Sequence, residues 1–391
     1  MKNLLIKLLS GIAVCVIATP AYSLTIIPTF DSSITGATNA AAITNAINFA
    51  IGIFQSNIVD NVTVNITFVN MNTGLGMSST FGASYNYSNY IAALKTSAAS
   101  VNDTNALSKL PDGPTDPVIG GTQIHLTTAQ SRVLGLDSYS GLDSTISLNM
   151  SLMNFTRPPI DPDKYDLISV TEHEVDEVLG ISSGLPNTSV VWPADLFRYT
   201  TNLVRTFTTS GADNAYFSVD GTNLVARYNM QSGADYGDWW SFYGANRWAP
   251  PGITPHTQVQ DAYGSPGVYE DLGVSELTAL DVVGWTLAVT ATTPPVLKII
   301  HSGASQFTLS WTNTANGYVL QERTNLISGS WAFSTTGSTN PAVLLTPASG
   351  KFYRLYNPGS SSQSPAHTAA VVPAAHTVYE AVTRVFPSRQ P

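Results

Sequence analysis

Charged side chains are scarce in this chain of 391 residues, at 11% of the total, against about 25% in an average soluble domain. Basic residues are the rarer kind, 17 against 26 acidic ones, which gives a formal net charge of −9 at pH 7. Because such a chain repels phosphate groups, we expect no nucleic-acid partner. The hydrophobic share of 43% is still enough to bury a sizeable core.

Cysteine is nearly absent, since Cys15 is the single one. It lies in an N-terminal segment with two early lysines, a short apolar run and small residues at its end. This pattern is typical of a secretory signal peptide, which we predict over residues 1–23 with cleavage before Leu24. The exported chain then lacks cysteine, which excludes disulfides, thiolate metal ligands and a cysteine nucleophile.

Hydrophobic runs long enough to cross a bilayer are missing after the predicted signal peptide. We therefore expect a secreted or cell-surface protein without a membrane span. Residues 39–54 have the spacing of an amphipathic helix, whereas residues 62–68 and 146–152 alternate as half-buried strands do. These patterns predict an α+β domain over residues 24–290, in which the strand 146–152 could pair with an extended substrate.

The end of the chain has a different pattern. A Pro-containing stretch indicates a linker at 291–295, and short alternating segments predict a small all-β sandwich domain over 296–358. This module resembles β-sandwich modules found at the ends of exported bacterial proteins. Residues 359–391 are rich in Ser, Pro and Ala, which predicts a loosely ordered tail.

Residues 166–180 have the apolar periodicity of a helix that ends at Gly180. In such a helix His173 and Glu177, four residues apart, project from one face and can bind one metal ion. Glu174 lies beside them, where its carboxylate can act as a general base towards water. This is the logic of the His-Glu-x-x-His zinc motif, with Glu177 in the place of the second histidine.

The carboxylate of Glu177 changes the expected properties of such a site. Because it reduces the positive charge at the metal, bound water should be less acidic, and a harder ion such as Mn²⁺ becomes a candidate besides zinc. The same residues have a second interpretation, in which the acidic side chains around His173 form a solvated stripe and the histidine is incidental.

Five short signatures follow the predicted helix in order. They are Asp195-Leu196-Phe197-Arg198-Tyr199, residues 215–221, Gly237-Asp238-Trp239, Val259-Gln260-Asp261-Ala262-Tyr263 and residues 277–285. Together with the helix, they resemble exported bacterial metalloproteases of the zincin-like group, over residues 24–288. The resemblance implies a zincin-like fold and the hydrolysis of peptide bonds in a protein or peptide substrate.

The resemblance also implies roles for individual residues. His173 matches the first metal ligand, Glu174 the general base and Glu177 the second ligand. The third ligand in some zincins lies three residues past the glycine that ends the helix. That position is Ser183 here, which is a poor zinc ligand.

Asp195 is the better candidate for the third ligand, because a carboxylate downstream of the helix completes the site in other zincins. It could instead cap a turn or pair with an arginine. His256 and His125 are the remaining alternatives, and each is also compatible with a structural role.

The sequence thus predicts a secreted zinc-dependent endopeptidase, with another divalent metal as an option. Two other functions fit the same features. The first is a zincin-fold protein that has lost catalysis and binds a partner or a surface matrix. The second is an adhesin-like protein whose important part is the terminal sandwich, which needs no metal.

Overall fold

The computed structural model describes most of residues 23–288 and part of the chain beyond. The described residues are 23–157, 161–211, 213–242, 246–250, 255–288, 297–303, 306–311, 319–324, 331–334, 336, 340–345, 351–356 and 370–372. The predicted signal peptide, apart from Ser23, and the predicted linker at 291–295 lie outside them. The same is true of the predicted tail, apart from residues 370–372.

Helices of the described chain all lie between Ser32 and Val282, whereas strands occur along its whole length. The helices are α1 (Ser32–Thr35), α2 (Ala40–Asn57), α3 (Tyr87–Ser97), α4 (Val101–Leu107), α5 (Thr128–Val133), α6 (Leu167–Leu179) and α7 (Val274–Val282). The strands are β1 (Thr25–Phe30), β2 (Thr63–Asn70), β3 (Gly76–Thr80), β4 (Gly82–Asn86), β5 (Gln123–Thr127), β6 (Ser144–Leu148), β7 (Met153–Asn154), β8 (Tyr165–Asp166), β9 (Arg198–Tyr199), β10 (Tyr216–Phe217), β11 (Ala226–Arg227), β12 (Ser241–Phe242), β13 (Asn246–Arg247), β14 (Lys298–Gly303), β15 (Gln306–Ser310), β16 (Val319–Arg323), β17 (Ala332–Phe333), β18 (Ala342–Leu345), β19 (Lys351–Tyr356) and β20 (Ala370–Val372). The described chain combines helices with several small sheets, so the fold class is α+β, as the sequence predicts.

A four-stranded sheet in the order β1-β2-β6-β3 forms the centre of the part of the chain that contains the helices. β1, β2 and β6 are parallel, whereas β3 runs antiparallel to β6. Val64, Ile66 and Phe68 of β2 are buried and alternate with more exposed polar residues, as a strand with one buried face requires. They share one hydrophobic core with the apolar face of α2, which includes Ile47 and Phe54.

The alternating segment 146–152 is a strand only in its first half. β6 ends at Leu148, and a 3₁₀ helix covers Met150–Leu152. β6 has β2 on one side and β3 on the other, so its backbone groups are already paired within the sheet. The prediction that this strand pairs with an extended substrate is therefore wrong. The edge position next to β6 belongs to β3.

Helix α6 lies within the predicted range of 166–180, and both of its ends are capped. The carboxylate of Asp166 accepts a hydrogen bond from the backbone N–H of Ser169 at 2.8 Å, which satisfies one of the free donors at the helix start. Nε of Arg157 donates to the same carboxylate at 2.8 Å. Gly180 ends the helix with φ of +113°, a conformation that side chains other than glycine disfavour.

Between α6 and β14 the described chain is mostly irregular, with short paired strands, a 3₁₀ helix at Pro193–Phe197 and one more α-helix, α7. This helix begins at Val274, and the Glu276 carboxylate accepts a hydrogen bond from the N–H of Gly273 at 3.0 Å. Beyond α7, the indole of Trp285 donates to the carbonyl of Leu179 at 2.7 Å. This bond ties the end of α7 to the end of α6.

Residues 297–372 contain strands that form two antiparallel sheets, β14-β15-β18 and β17-β16-β19-β20. Side chains from both sheets, among them Phe307, Leu309 and Leu355, share a second hydrophobic core. The predicted loosely ordered tail differs from the structure at β20, because the valines of this segment favour a strand, which pairs with β19. Among the described residues, no helix has the length and hydrophobicity that crossing a bilayer requires.

Candidate metal centre

Helix α6 presents three adjacent functional side chains to a cleft, and β3 lies beside it. The cleft has a volume of about 420 Å³. Residues 74–78 and the α6 side chains of His173, Glu174 and Glu177 line it, together with residues from 233–238 and 257–270. Residues that are far apart in the sequence therefore meet at one concave surface, as in most small-molecule and active sites.

The imidazole of His173 is oriented by a backbone carbonyl. Its Nδ1 lies 2.9 Å from the carbonyl oxygen of Val259. Because a carbonyl oxygen only accepts, Nδ1 carries the hydrogen, and Nε2 is the nitrogen that can bind a metal ion once it has lost its proton. Nε2 lies 3.9 Å from Oε1 of Glu177 and 3.7 Å from Oδ1 of Asp238.

His173, Glu177 and Asp238 each offer one ligand atom, and these atoms all lie within 4.8 Å of one another. Both carboxylates are oriented by neighbours. Oε2 of Glu177 accepts a hydrogen bond from the hydroxyl of Ser78 on β3 at 2.6 Å. Oδ1 of Asp238 accepts one from Nε2 of Gln260 at 3.0 Å. The spacing His-x-x-x-Glu on α6 thus contributes two of the three groups, and a distant loop contributes the third.

Glu174 is buried next to this group, with 5% of its surface exposed. It fits there because Gly76 on β3 has no side chain: a Cβ at that position would lie 2.1 Å from Oε1 of Glu174. Burial, followed by the negative charge of Glu177, raises the pKa of Glu174 well above its ordinary value. A raised pKa is typical of a carboxyl group that exchanges protons near neutral pH.

The electrostatics of the whole group are those of clustered acids. Burial is the main cause that raises the pKa values of Glu177 and Asp238. Burial opposes protonation of His173, but the carboxylates of Asp238, Glu174 and Glu177 outweigh it and raise the pKa of His173 to about 10. Without a metal the group therefore retains protons, and a bound cation would displace them.

Asp195, the third ligand suggested by the resemblance, is not part of this group. Its carboxylate accepts hydrogen bonds from the hydroxyl of Ser183 at 2.6 Å, from the N–H of Gly184 at 2.8 Å and from the N–H of Trp192 at 2.9 Å. It is buried, with 1% of its surface exposed. The structure thus places Asp195 in the turn-capping role that was its alternative interpretation.

The two rival histidines also lie outside the group. His125, on β5, has its Nδ1 3.2 Å from the hydroxyl of Ser84, and its ring contacts that of Trp192 at 4.8 Å between centroids. Burial lowers the pKa of His125. His256 instead interacts with Glu270. Burial raises the pKa of Glu270, and the interaction with His256 lowers it by a smaller amount.

In the sequence, Asp238 belongs to the signature Gly237-Asp238-Trp239, and its closeness to Asp235 is compatible with a calcium-binding loop. No spacing rule connects it with His173, because a long and mostly irregular stretch of chain separates them. Gly237 is the one available signal. A Cβ at Gly237 would lie 3.0 Å from the backbone of Ser182 and Ser183, so this glycine allows the loop of Asp238 to approach the end of α6.

Comparisons with known proteins return no match. No protein family matches the chain, and neither do curated proteins or solved structures. The chemical meaning of the centre therefore depends on the arrangement of its own side chains.

Proposed function

We propose that this chain is a secreted, metal-dependent endopeptidase with a zincin-like domain, in which His173, Glu177 and Asp238 hold the metal and Glu174 is the general base. The observation that carries the proposal is the convergence of an imidazole nitrogen and two carboxylate oxygens within 4.8 Å. They meet beside a buried glutamate in a cleft. Export is supported by the N-terminal pattern of residues 1–23.

The donor set fits a zinc ion. Histidine nitrogen and carboxylate oxygen both bind zinc, and catalytic zinc sites use three protein ligands. With metal–ligand bonds of about 2.0–2.1 Å, two donors on one tetrahedral ion are about 3.4 Å apart. Nε2 of His173 is 3.7 Å from Oδ1 of Asp238 and 3.9 Å from Oε1 of Glu177. Both separations are longer than a hydrogen bond and are close to the donor–donor distance of a tetrahedral zinc site.

The charge of the group supports the same conclusion. Burying several carboxylates together costs free energy unless a cation compensates them. The hydrogen bond from His173 to a carbonyl is the outer contact that metal-binding histidines usually make. Two carboxylates and one imidazole also suit a harder divalent ion, so Mn²⁺ remains the second candidate.

The metal ligands and Glu174 have separate roles in peptide hydrolysis. His173, Glu177 and Asp238 would hold the zinc ion, which would supply a Lewis acid for a carbonyl oxygen and for water. Glu174 then accepts a proton from the attacking water and returns it to the leaving amine nitrogen. The enclosed position of Glu174 beside Gly76 keeps its carboxyl at the floor of the cleft.

An extended substrate has one suitable partner among the described strands at the cleft. β3 is at the edge of the central sheet, and residues 74–78 line the cleft. An exposed strand edge can add a peptide as a further strand through backbone hydrogen bonds. This arrangement replaces the predicted pairing at 146–152, and it favours peptides over compact small molecules as substrates.

The test measures zinc content and peptide cleavage together. Wild-type protein should bind one zinc ion and cleave an unstructured peptide, and Glu174→Gln should keep the zinc while cleavage falls by at least about 100-fold. Glu322→Gln, the same change at a partly exposed ion pair with Lys351, serves as the control and should cleave normally.

The result also separates the alternatives. Zinc binding without cleavage by the wild type would support the catalytically silent binding protein. Failure to bind any divalent metal would support the adhesin-like function instead.

A further inference from the structure

One dipeptide contacts two of the three candidate ligands. The carbonyl of Val259 accepts the hydrogen bond from Nδ1 of His173 at 2.9 Å, and the side-chain amide of Gln260 donates to Oδ1 of Asp238 at 3.0 Å. His173 is on helix α6, whereas Asp238 is in a loop much further along the chain. Residues 259–260 therefore couple the orientations of two groups that the helix alone cannot align.

The amide of Gln260 is held in this position without solvent. The residue is completely buried. The nitrogen of the amide faces Asp238 and donates to its Oδ1. The amide oxygen has no hydrogen-bond partner in the described part of the chain. A buried amide that leaves one atom unsatisfied to serve a carboxylate is more typical of a functional site than of a packed core.

The backbone of the same segment is fixed on both sides. The N–H of Trp239 donates to the carbonyl of Gln260 at 2.8 Å, and the N–H of Ala262 donates to the carbonyl of Trp239 at 2.9 Å. On α7, Oε1 of Glu276 accepts from the indole of Trp239 at 2.9 Å and from the N–H of Gln260 at 3.2 Å. The Asp238 loop and the Val259–Gln260 segment thus share one anchor on α7.

We infer that Gln260 is a positioning residue that sets metal affinity by fixing the carboxylate of Asp238 towards Nε2 of His173. The inference rests on the proposed metal centre and adds a residue outside the ligand set. Without the amide donor, the carboxylate of Asp238 can rotate away from His173. It must then be turned back when the ion binds, and this costs part of the binding free energy. Loss of such an outer contact typically weakens metal binding by about 10–100-fold.

The experiment measures the apparent dissociation constant of the full-length protein for Zn²⁺ by competition with a chromogenic chelator. Gln260→Met removes the donor at nearly constant volume, and we expect about 10–100-fold weaker zinc binding. Gln260→Asn keeps an amide but shortens the side chain, so it should weaken binding in the same direction, and it serves where the methionine variant does not fold.

Gln321→Met is the matched control. Gln321 is a buried glutamine on β16, and its amide oxygen accepts a hydrogen bond from Nε of Arg354 at 2.8 Å. The substitution should leave zinc affinity within about twofold of the wild type, a difference far smaller than the loss of an outer contact.

A double-mutant cycle separates positioning from a general effect on folding. In an Asp238→Ala background, Gln260→Met should cause no further loss of zinc affinity, because its target is already missing. An equal loss in both backgrounds would overturn the inference, as would unchanged zinc binding by the two Gln260 variants. In either case the proposed function stands if the wild type binds zinc and cleaves the peptide. If the wild type binds no zinc, both the proposed function and this inference fail.

Discussion

Two buried aspartates, Asp195 and Asp238, follow helix α6 in the chain, and their surroundings differ. Asp195 accepts three hydrogen bonds from within residues 183–192 and closes a turn there. Asp238 accepts one from Gln260, and Nε2 of His173 lies 3.7 Å from it. Neighbouring groups therefore satisfy the carboxylate of Asp195 with hydrogen bonds, whereas the carboxylate of Asp238 faces the imidazole of His173.

The difference separates a carboxylate whose hydrogen bonds the fold supplies from one that we propose as a metal ligand. Burying a carboxylate is costly unless hydrogen bonds or a positive charge compensate it. The loop around Asp195 provides that compensation by itself. Around Asp238 it is incomplete, since Glu177 and Asp235 add negative charge nearby. The region around Asp238 therefore gains most from a cation.

We expect the largest effect from Asp238→Asn. The variant loses a charged ligand, so we expect zinc affinity to fall by more than the ~100-fold upper range of an outer contact. Because removing one of several clustered acids relieves repulsion, the free energy of unfolding of the zinc-free variant should equal or exceed that of the wild type. Zinc titration and chemical denaturation with a chelator present check both statements.

Gly76→Ala addresses the general base instead of the ligands. The new methyl group would displace the carboxyl of Glu174, because it would lie 2.1 Å from Oε1. A displacement of about 1 Å can cost about 100-fold in rate, so peptide cleavage should fall by that order while zinc affinity stays near wild type. Gly113→Ala, where a Cβ meets nothing within 4 Å, is the control. Equal loss of zinc by Gly76→Ala would show that Glu174 is instead part of the ligand set.

Asp195→Asn tests the structural side of the comparison. The amide replaces one accepting oxygen by a donor that faces other donors, so the turn at residues 183–192 should lose stability. We expect the free energy of unfolding to fall by about 2 kcal/mol, the scale of a buried hydrogen bond to a charged group, with zinc affinity unchanged. A large loss of zinc affinity in a folded variant would restore Asp195 as a ligand.

A third aspartate, Asp281 on α7, is intermediate and should give the smallest effect. Its Oδ2 accepts from Ser100 and Asn102 at 2.9 and 3.0 Å. Burial, followed by the charge of Asp103, raises the pKa of Asp281 to about 6 from an ordinary 3.8. The folded state therefore favours the protonated form of Asp281. This preference stabilises the fold fully below the unfolded pKa of about 3.8, and the contribution is lost as pH rises through about 6.

Asp281→Asn should remove this loss. Between pH 4 and pH 7, the free energy of unfolding of the variant should rise by about 1 kcal/mol relative to that of the wild type, after allowance for the partial exposure of Asp281. Thermal unfolding of both proteins between pH 4 and 7 checks the slope. Parallel curves over that range would contradict the assigned pKa.

The local part of this structure was predictable from the sequence, because its signals lie within one element. The periodicity and Gly180 place α6 within two residues of its observed ends, and the pairing of His173 with Glu177 follows from helix geometry. The predicted helix at 39–54 matches α2 to within three residues at each end.

The remaining part depends on contacts between distant segments. Asp238 and Gln260 reach the centre through a loop held by Trp239 and Glu276, and no periodicity in the sequence encodes that path. The same is true of β3, whose short polar sequence hides its place at the sheet edge. Sequence patterns therefore identified the helix with its two candidate ligands and its candidate base, but they did not identify the residue that completes the group.

The most direct measurement is the anomalous diffraction signal at the zinc absorption edge, from crystals of the protein grown with Zn²⁺. We expect a single strong peak bonded to Nε2 of His173 and to carboxylate oxygens of Glu177 and Asp238, at about 2.0–2.2 Å from each. A peak bonded to Asp195 instead of Asp238, or no peak in the cleft, would contradict the account.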